Sequence, residues 1–122
     1  MDVSNYNFTL YRSDFGVGVI NRVADLFNTY YADLEIVKAK IINGGWGTGR
    51  LVIFRIIDRK AKVSPLMEVE YVGRYTTKRK EEKFLDVYRV DGEEMTFSNP
   101  NNGTETSTKI FDKLVERLLI II

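Results

Sequence analysis

Two alternating apolar runs meet at Asp91-Gly92, and this dipeptide constrains the fold more than any other feature of the chain. Asp-Gly supplies two residues that tolerate positive φ, as the type I′ turn of a two-residue hairpin requires. Phe84 to Val90 and Glu93 to Phe97 are therefore expected to pair in a fixed register. Val90 faces Glu93, Arg89 faces Glu94 and Tyr88 faces Met95. Phe84, Tyr88, Val90, Met95 and Phe97 then share one face, and Arg89 pairs with Glu94 across the other.

Further strands are expected upstream of this hairpin. Leu34 to Ile42 places Val37, Ala39 and Ile41 on one face and Lys38 and Lys40 on the other. A glycine-rich turn, Gly44 to Arg50, carries the only tryptophan, Trp46. It leads into Arg50 to Asp58, which is apolar on both faces and reads as a central strand covered on both sides. Arg59 to Pro65 reads as a basic connector. Leu66 to Tyr75 then alternates: Met67, Val69, Tyr71 and Tyr75 take one face, and Glu68, Glu70 and Arg74 take the other with Val72. Thr76 to Lys83 is expected to be a charged loop, and Tyr6 to Tyr11 a short edge strand.

Helical periodicity appears at both ends of the chain. Val19, Ile20, Val23, Ala24, Phe27, Tyr30 and Tyr31 recur at three- and four-residue spacing. They predict a helix over about 15–32, with Ser13-Asp14 as its cap and acidic first turn. Gly16 and Gly18 weaken that turn and shift the expected start toward Val19. A final helix, capped by Thr106 or Ser107, carries the stripe Ile110, Phe111, Leu114, Val115, Leu118 and Ile122. The expected fold is thus α+β in a single domain, residues 1–122. It is an antiparallel four- to five-stranded meander flanked by an N-terminal and a C-terminal helix. Either one helix covers each face of the sheet, or both cover one face and leave the other for a partner.

Composition narrows the function. The chain has 122 residues, enough to bury a core, and it contains neither cysteine nor histidine. Disulfides, thiolate metal sites, cysteine nucleophiles and histidine relays are therefore excluded. A formal net charge of +1 gives no global pull toward nucleic acid or membrane, so any such binding needs a local patch. The expectation is an intracellular, cytoplasmic protein with no signal peptide, no membrane span, no membrane partner and no cofactor or metal.

The leading expectation is a non-enzymatic, self-associating protein that binds single-stranded nucleic acid with low sequence specificity. Trp46 and Arg50, with the basic residues Arg59, Lys60, Lys62, Lys78, Arg79 and Lys80, supply the ring and the cations such binding uses. Arg55, Arg74, Tyr75, Tyr88 and Arg89 belong to the wider basic and aromatic set. Against it, Glu81-Glu82 directly follows Lys78-Arg79-Lys80 and neutralises that loop.

The C-terminal run Leu118, Leu119, Ile120, Ile121 and Ile122 is apolar all round. It predicts either docking into the core or a homo-oligomer interface, with a dimer expected. The alternative function is a protein-interaction or assembly subunit, of the kind a small viral or regulatory factor provides. The third is a carboxylate and metal nuclease. For that reading Glu68 and Glu70 lie two apart on one strand face, Asp86 lies on a neighbouring strand, and Glu81-Glu82-Lys83 has Glu-x-Lys spacing.

Overall fold

A computed structural model gives the fold. It describes residues 8–11, 13–31, 37–42, 49–58, 62–77 and 83–121. The order is β1 (Phe8–Tyr11), α1 (Asp14–Tyr30), β2 (Val37–Ile42), β3 (Gly49–Asp58), β4 (Lys62–Thr77), β5 (Phe84–Val90), β6 (Glu93–Ser98) and α2 (Gly103–Ile121). Strands β2 to β6 form an antiparallel meander in sequence order. β1 adds to β4, pairing Phe8 to Tyr11 with Arg74 to Thr77, above the stretch of β4 that β3 occupies. No helix among the described residues is long and apolar enough to cross a membrane.

The hairpin has the register that Asp-Gly dictates. Val90 pairs with Glu93, Arg89 with Glu94 and Tyr88 with Met95. Both turn residues take positive φ, 52° at Asp91 and 85° at Gly92.

Both helices lie on one face of the sheet. The core joins Val19, Ile20, Val23 and Phe27 of α1 and Ile110, Leu114 and Leu118 of α2 to the inward side chains of β2 to β5, among them Leu51, Ile53, Val69, Tyr71 and Tyr88. Arg22 Nη1 donates to Thr104 Oγ1 at 3.1 Å, and the Tyr30 and Phe111 rings lie 5.5 Å apart. These contacts advance together along both helices, so α1 and α2 run side by side in the same direction. On the opposite face Val52, Leu85 and Val87 are also buried.

Helix α1 starts earlier than its glycines suggest. Ser13 is extended, with φ −139° and ψ 135°, and its Oγ accepts from Phe15 N–H at 3.2 Å. Gly16 is tolerated in the first turn because of what faces it. A Cβ there would lie 2.2 Å from the Tyr71 ring, so the missing side chain is what lets β4 approach the helix. Helix α2 also starts early. Asn102, and not Thr106 or Ser107, is its cap: Asn102 Oδ1 accepts from Thr104 N–H at 2.9 Å. Thr106 and Ser107 are buried inside the helix and donate their hydroxyls back to Asn102 O and Thr104 O.

Strand β4 is longer than its alternation predicts, taking in Lys62 to Pro65 and Thr76 to Thr77. Two bulges interrupt it. Leu66 is the extra residue between the pairs Ile53–Met67 and Phe54–Pro65. Val72 is the extra residue between Tyr71–Tyr88 and Gly73–Val87, where Gly73 takes φ 152°. This second bulge reverses the side-chain parity beyond it. Arg74, expected beside Glu68 and Glu70, turns to the helix side, and Tyr75, expected in the core, turns away from it.

The outer edge of β2 is closed from within the chain. Asn28 Nδ2 donates to Ala39 O at 3.1 Å, and Asn28 Oδ1 accepts from Ala39 N–H at 3.0 Å. One side-chain amide thus takes the place of a neighbouring strand at the middle of an edge that pairs with no other strand among the described residues.

Candidate nucleic-acid interface

Six of the twelve described cations are held by described acids. Arg50, a predicted ligand contact, grips Glu68 with two nitrogens: Nε pairs with Oε1, and Nη2 donates to Oε2 at 2.8 Å. That hydrogen bond, together with the Glu68 charge, holds the Arg50 guanidinium above its usual pKa. Arg89 lies between Glu70 at 3.9 Å and Glu94 at 4.0 Å. Lys109 pairs with Glu105, Lys113 with Glu93, and Arg117 with Asp91 and Glu93. The sheet face opposite the helices is therefore a self-neutralising ladder at its Arg50 end.

Arg74 is the extreme case. Its Nε and Nη2 donate to the two Asp86 oxygens at 2.6 and 2.7 Å, in a two-point fork. Asp86 is wholly buried, and the Arg74 side chain is 13% exposed. The guanidinium lies 5.1 Å from the Phe15 ring centroid and 4.2 Å from that of Phe84. Tyr71 OH reaches Asp86 Oδ1 at 3.5 Å. This cation belongs to the core and cannot serve a ligand.

Five described cations make no ion pair with any described residue: Arg22 on α1, which donates to Thr104 Oγ1, and four exposed on the sheet, Lys38, Lys40, Arg55 and Lys62. These four share one end of the sheet. Lys40 stands beside Val52, Lys38 beside Phe54, and Lys62 opposite Asp58, so the cations line β3 from Val52 to Asp58 over about 20 Å. Lys38 and Lys40 project from the face that carries no described helix. Arg55 has the opposite parity, that of Leu51 and Ile53, and is exposed.

The predicted contacts are thus divided. Lys62 is brought into this cluster. Arg50 lies two residues above Val52, about 7 Å along β3 from the row that holds Lys40, and is committed to Glu68. Trp46, Arg59, Lys60, Lys78, Arg79 and Lys80 lie outside the described residues. Sequence reasoning omitted Lys38 and Lys40 from the site. Their signal was a lysine at every second residue of a strand with no acid opposite.

The C-terminal run is split. Leu118 is fully buried in the core, whereas Leu119 and Ile120 are 73% and 80% exposed. The Ile121 side chain and Ile122 lie outside the described residues. The paired acids of the nuclease reading are also divided, because Glu68 and Glu70 face away from the helices while Asp86 faces them and is bound by Arg74. Among the described residues no group of three His, Cys, Asp or Glu side chains is placed to hold a metal ion.

No protein family describes the chain, and neither a curated protein nor a solved structure matches it.

Proposed function

We propose that the protein is a non-enzymatic nucleic-acid-binding protein that holds phosphates at the Lys62 end of its sheet. The observation that carries this is the segregation of its cations. Six described cations elsewhere are neutralised by carboxylates, whereas Lys38, Lys40, Arg55 and Lys62 stand along β2 and the lower part of β3 without acid partners among the described residues. A local cluster of this kind attracts a polyanion even in a chain of net charge +1. Contacts to phosphate carry no base identity, so low sequence specificity follows.

Fluorescence anisotropy of labelled oligonucleotides tests the proposal. Neutralising about four phosphates predicts that log K falls with log salt at a slope between about −3 and −4. Anisotropy that stays flat for every oligonucleotide at low salt would overturn it.

Self-association is the second reading. Leu119 and Ile120 are adjacent, apolar and largely exposed, and a second copy of the chain would cover them. Light scattering on the wild type and on Leu119→Ser/Ile120→Ser tests this. A wild-type dimer that the variant converts to monomer supports it, and a monomer in both removes it.

A further inference from the structure

We infer that β6 pairs with β6 of a second copy, antiparallel, about a two-fold axis at Thr96. This rests on the self-association reading above and gives it a surface separate from Leu119 and Ile120.

The two outer edges of the sheet are treated differently. Asn28 closes the middle of the β2 edge from within the chain. β6 pairs with β5 and with no other described strand. The hairpin register decides which of its groups face outward. Val90 and Glu93, next to the two-residue turn, exchange both backbone bonds, and so do Tyr88 with Met95 and Asp86 with Phe97. Asn99 N–H donates to Phe84 O at 2.9 Å in the same phase. Glu94 and Thr96 therefore turn their N–H and C=O groups to the outer edge, and both residues are exposed. An edge strand with open backbone groups is a template for another strand.

The residues of β6 complement themselves in one register. With Thr96 opposite Thr96 of the copy, Glu94 stands opposite Ser98 and Met95 opposite Phe97. Met95 and Phe97 lie on the helix side, half-buried against the core, so the pairing extends the core across the axis. No like charges face each other. Moving the axis toward the turn, to Met95, sets Glu93 against Phe97, and moving it to Glu94 sets that carboxylate against its own copy. Moving it the other way, to Phe97, sets Glu94 against Pro100, which has no N–H to give. A strand of another protein would find the same backbone groups, but these matched pairs need β6 itself.

There is also room for the incoming side chains. A groove of about 270 Å³ lies between β6 and the start of α2, lined by Phe97, Pro100, Asn102, Glu105, Thr106 and Lys109. Met95 of the copy enters beside Phe97, and its unbranched side chain suits an irregular space. The contact is one strand of six residues, so it belongs to the small, weak class of interfaces.

Disulfide trapping tests the pairing directly. The chain holds no cysteine, so a single introduced thiol can cross-link only to a second copy. Thr96→Cys lies on the axis, where the facing Cα atoms of a hydrogen-bonded pair are about 5.5 Å apart, within the span of a disulfide. Glu94→Cys lies about 14 Å from its copy, beyond that span. Under mild oxidation Thr96→Cys is expected to give about tenfold or more covalent dimer than Glu94→Cys, because the pairing raises the effective thiol concentration at the axis alone. The difference should persist in the Leu119→Ser/Ile120→Ser background. Thr96→Pro is expected to weaken association in sedimentation by about tenfold with thermal unfolding unchanged, since that N–H bonds to no described residue. Equal cross-linking of the two thiol variants overturns the β6 pairing, and so does a proline variant that associates as the wild type does. No cross-link at Thr96→Cys, with a wild-type dimer that Leu119→Ser/Ile120→Ser converts to monomer, overturns it and leaves the self-association reading standing. No cross-link with a monomeric wild type removes both.

Discussion

Strand β4 carries a cation at each end, and the two are treated in opposite ways. Arg74, above the second bulge, is forked onto the buried Asp86 and lies between Phe15 and Phe84. Lys62, at the other end, is exposed and has no acid partner among the described residues. One strand thus holds a cation that builds the fold and another that the fold leaves available. The difference follows from what covers each end. Beyond Tyr71 the strand lies under α1 and between β1 and β5, where an unmatched charge is costly. Below Glu68 it is bare on one edge, where a lysine keeps its hydration at no cost.

The largest effect is expected at the buried end. Asp86→Ala leaves Arg74 without its partner and should cost about 3–5 kcal/mol in urea unfolding. A loss below about 1 kcal/mol would mean that Arg74 reaches water and that the two ends are less different than described.

Next in size is a pair of glycine substitutions two residues apart in α1, on nearly opposite sides of the helix. Gly18 has nothing within 4 Å of its missing Cβ, so Gly18→Ala should stabilise by up to about 1 kcal/mol, the ordinary helix-propensity gain. Gly16→Ala should do the opposite and cost about 1–3 kcal/mol, because its Cβ meets the Tyr71 ring. If both substitutions stabilise, the close approach of α1 to β4 is wrong.

A smaller effect is expected at Tyr88. Its hydroxyl is fully buried and has no hydrogen-bond partner among the described residues, and burial pushes its phenol well above the usual pKa. Tyr88→Phe removes an unsatisfied polar atom without changing shape and should be neutral or stabilising by about 1 kcal/mol in thermal unfolding. A clear loss would place a bonded water on that oxygen.

Much of the fold is legible in the sequence, and the exceptions share a cause. The Asp91-Gly92 hairpin and the stripes of both helices follow from local chemistry that no tertiary contact overrides. The faces of β4 do not, because a period-2 pattern holds only until an extra residue enters the strand. The bulge at Val72 reverses Arg74 and Tyr75, and the glycine after it was the available sign. The start of α1 was obscured because Gly16 is a poor helix former chosen for its fit against Tyr71, which is remote in sequence. The cap of α2 was misplaced because Asn102, Thr106 and Ser107 all suit that role chemically, and only the backbone decides among them.

The candidate site was less legible than the fold. Sequence shows which residues are cations but not which of them an acid elsewhere has already engaged. Arg50 and Glu68 are eighteen positions apart, and only the β3–β4 register joins them. Lys38 and Lys40 read as the charged side of an ordinary strand until no described acid proves to pair with them.

The central claim is that the Lys62 end of the sheet is built to bind and the Arg74 end to fold. The variant Lys38→Gln/Lys40→Gln/Arg55→Gln/Lys62→Gln tests it when oligonucleotide affinity as a function of salt is measured beside thermal stability. The account predicts a salt slope reduced by about 3–4 and stability within about 0.5 kcal/mol of the wild type, since no described acid loses a partner. An unchanged slope with intact stability would contradict it, because the four cations would then contribute nothing to binding.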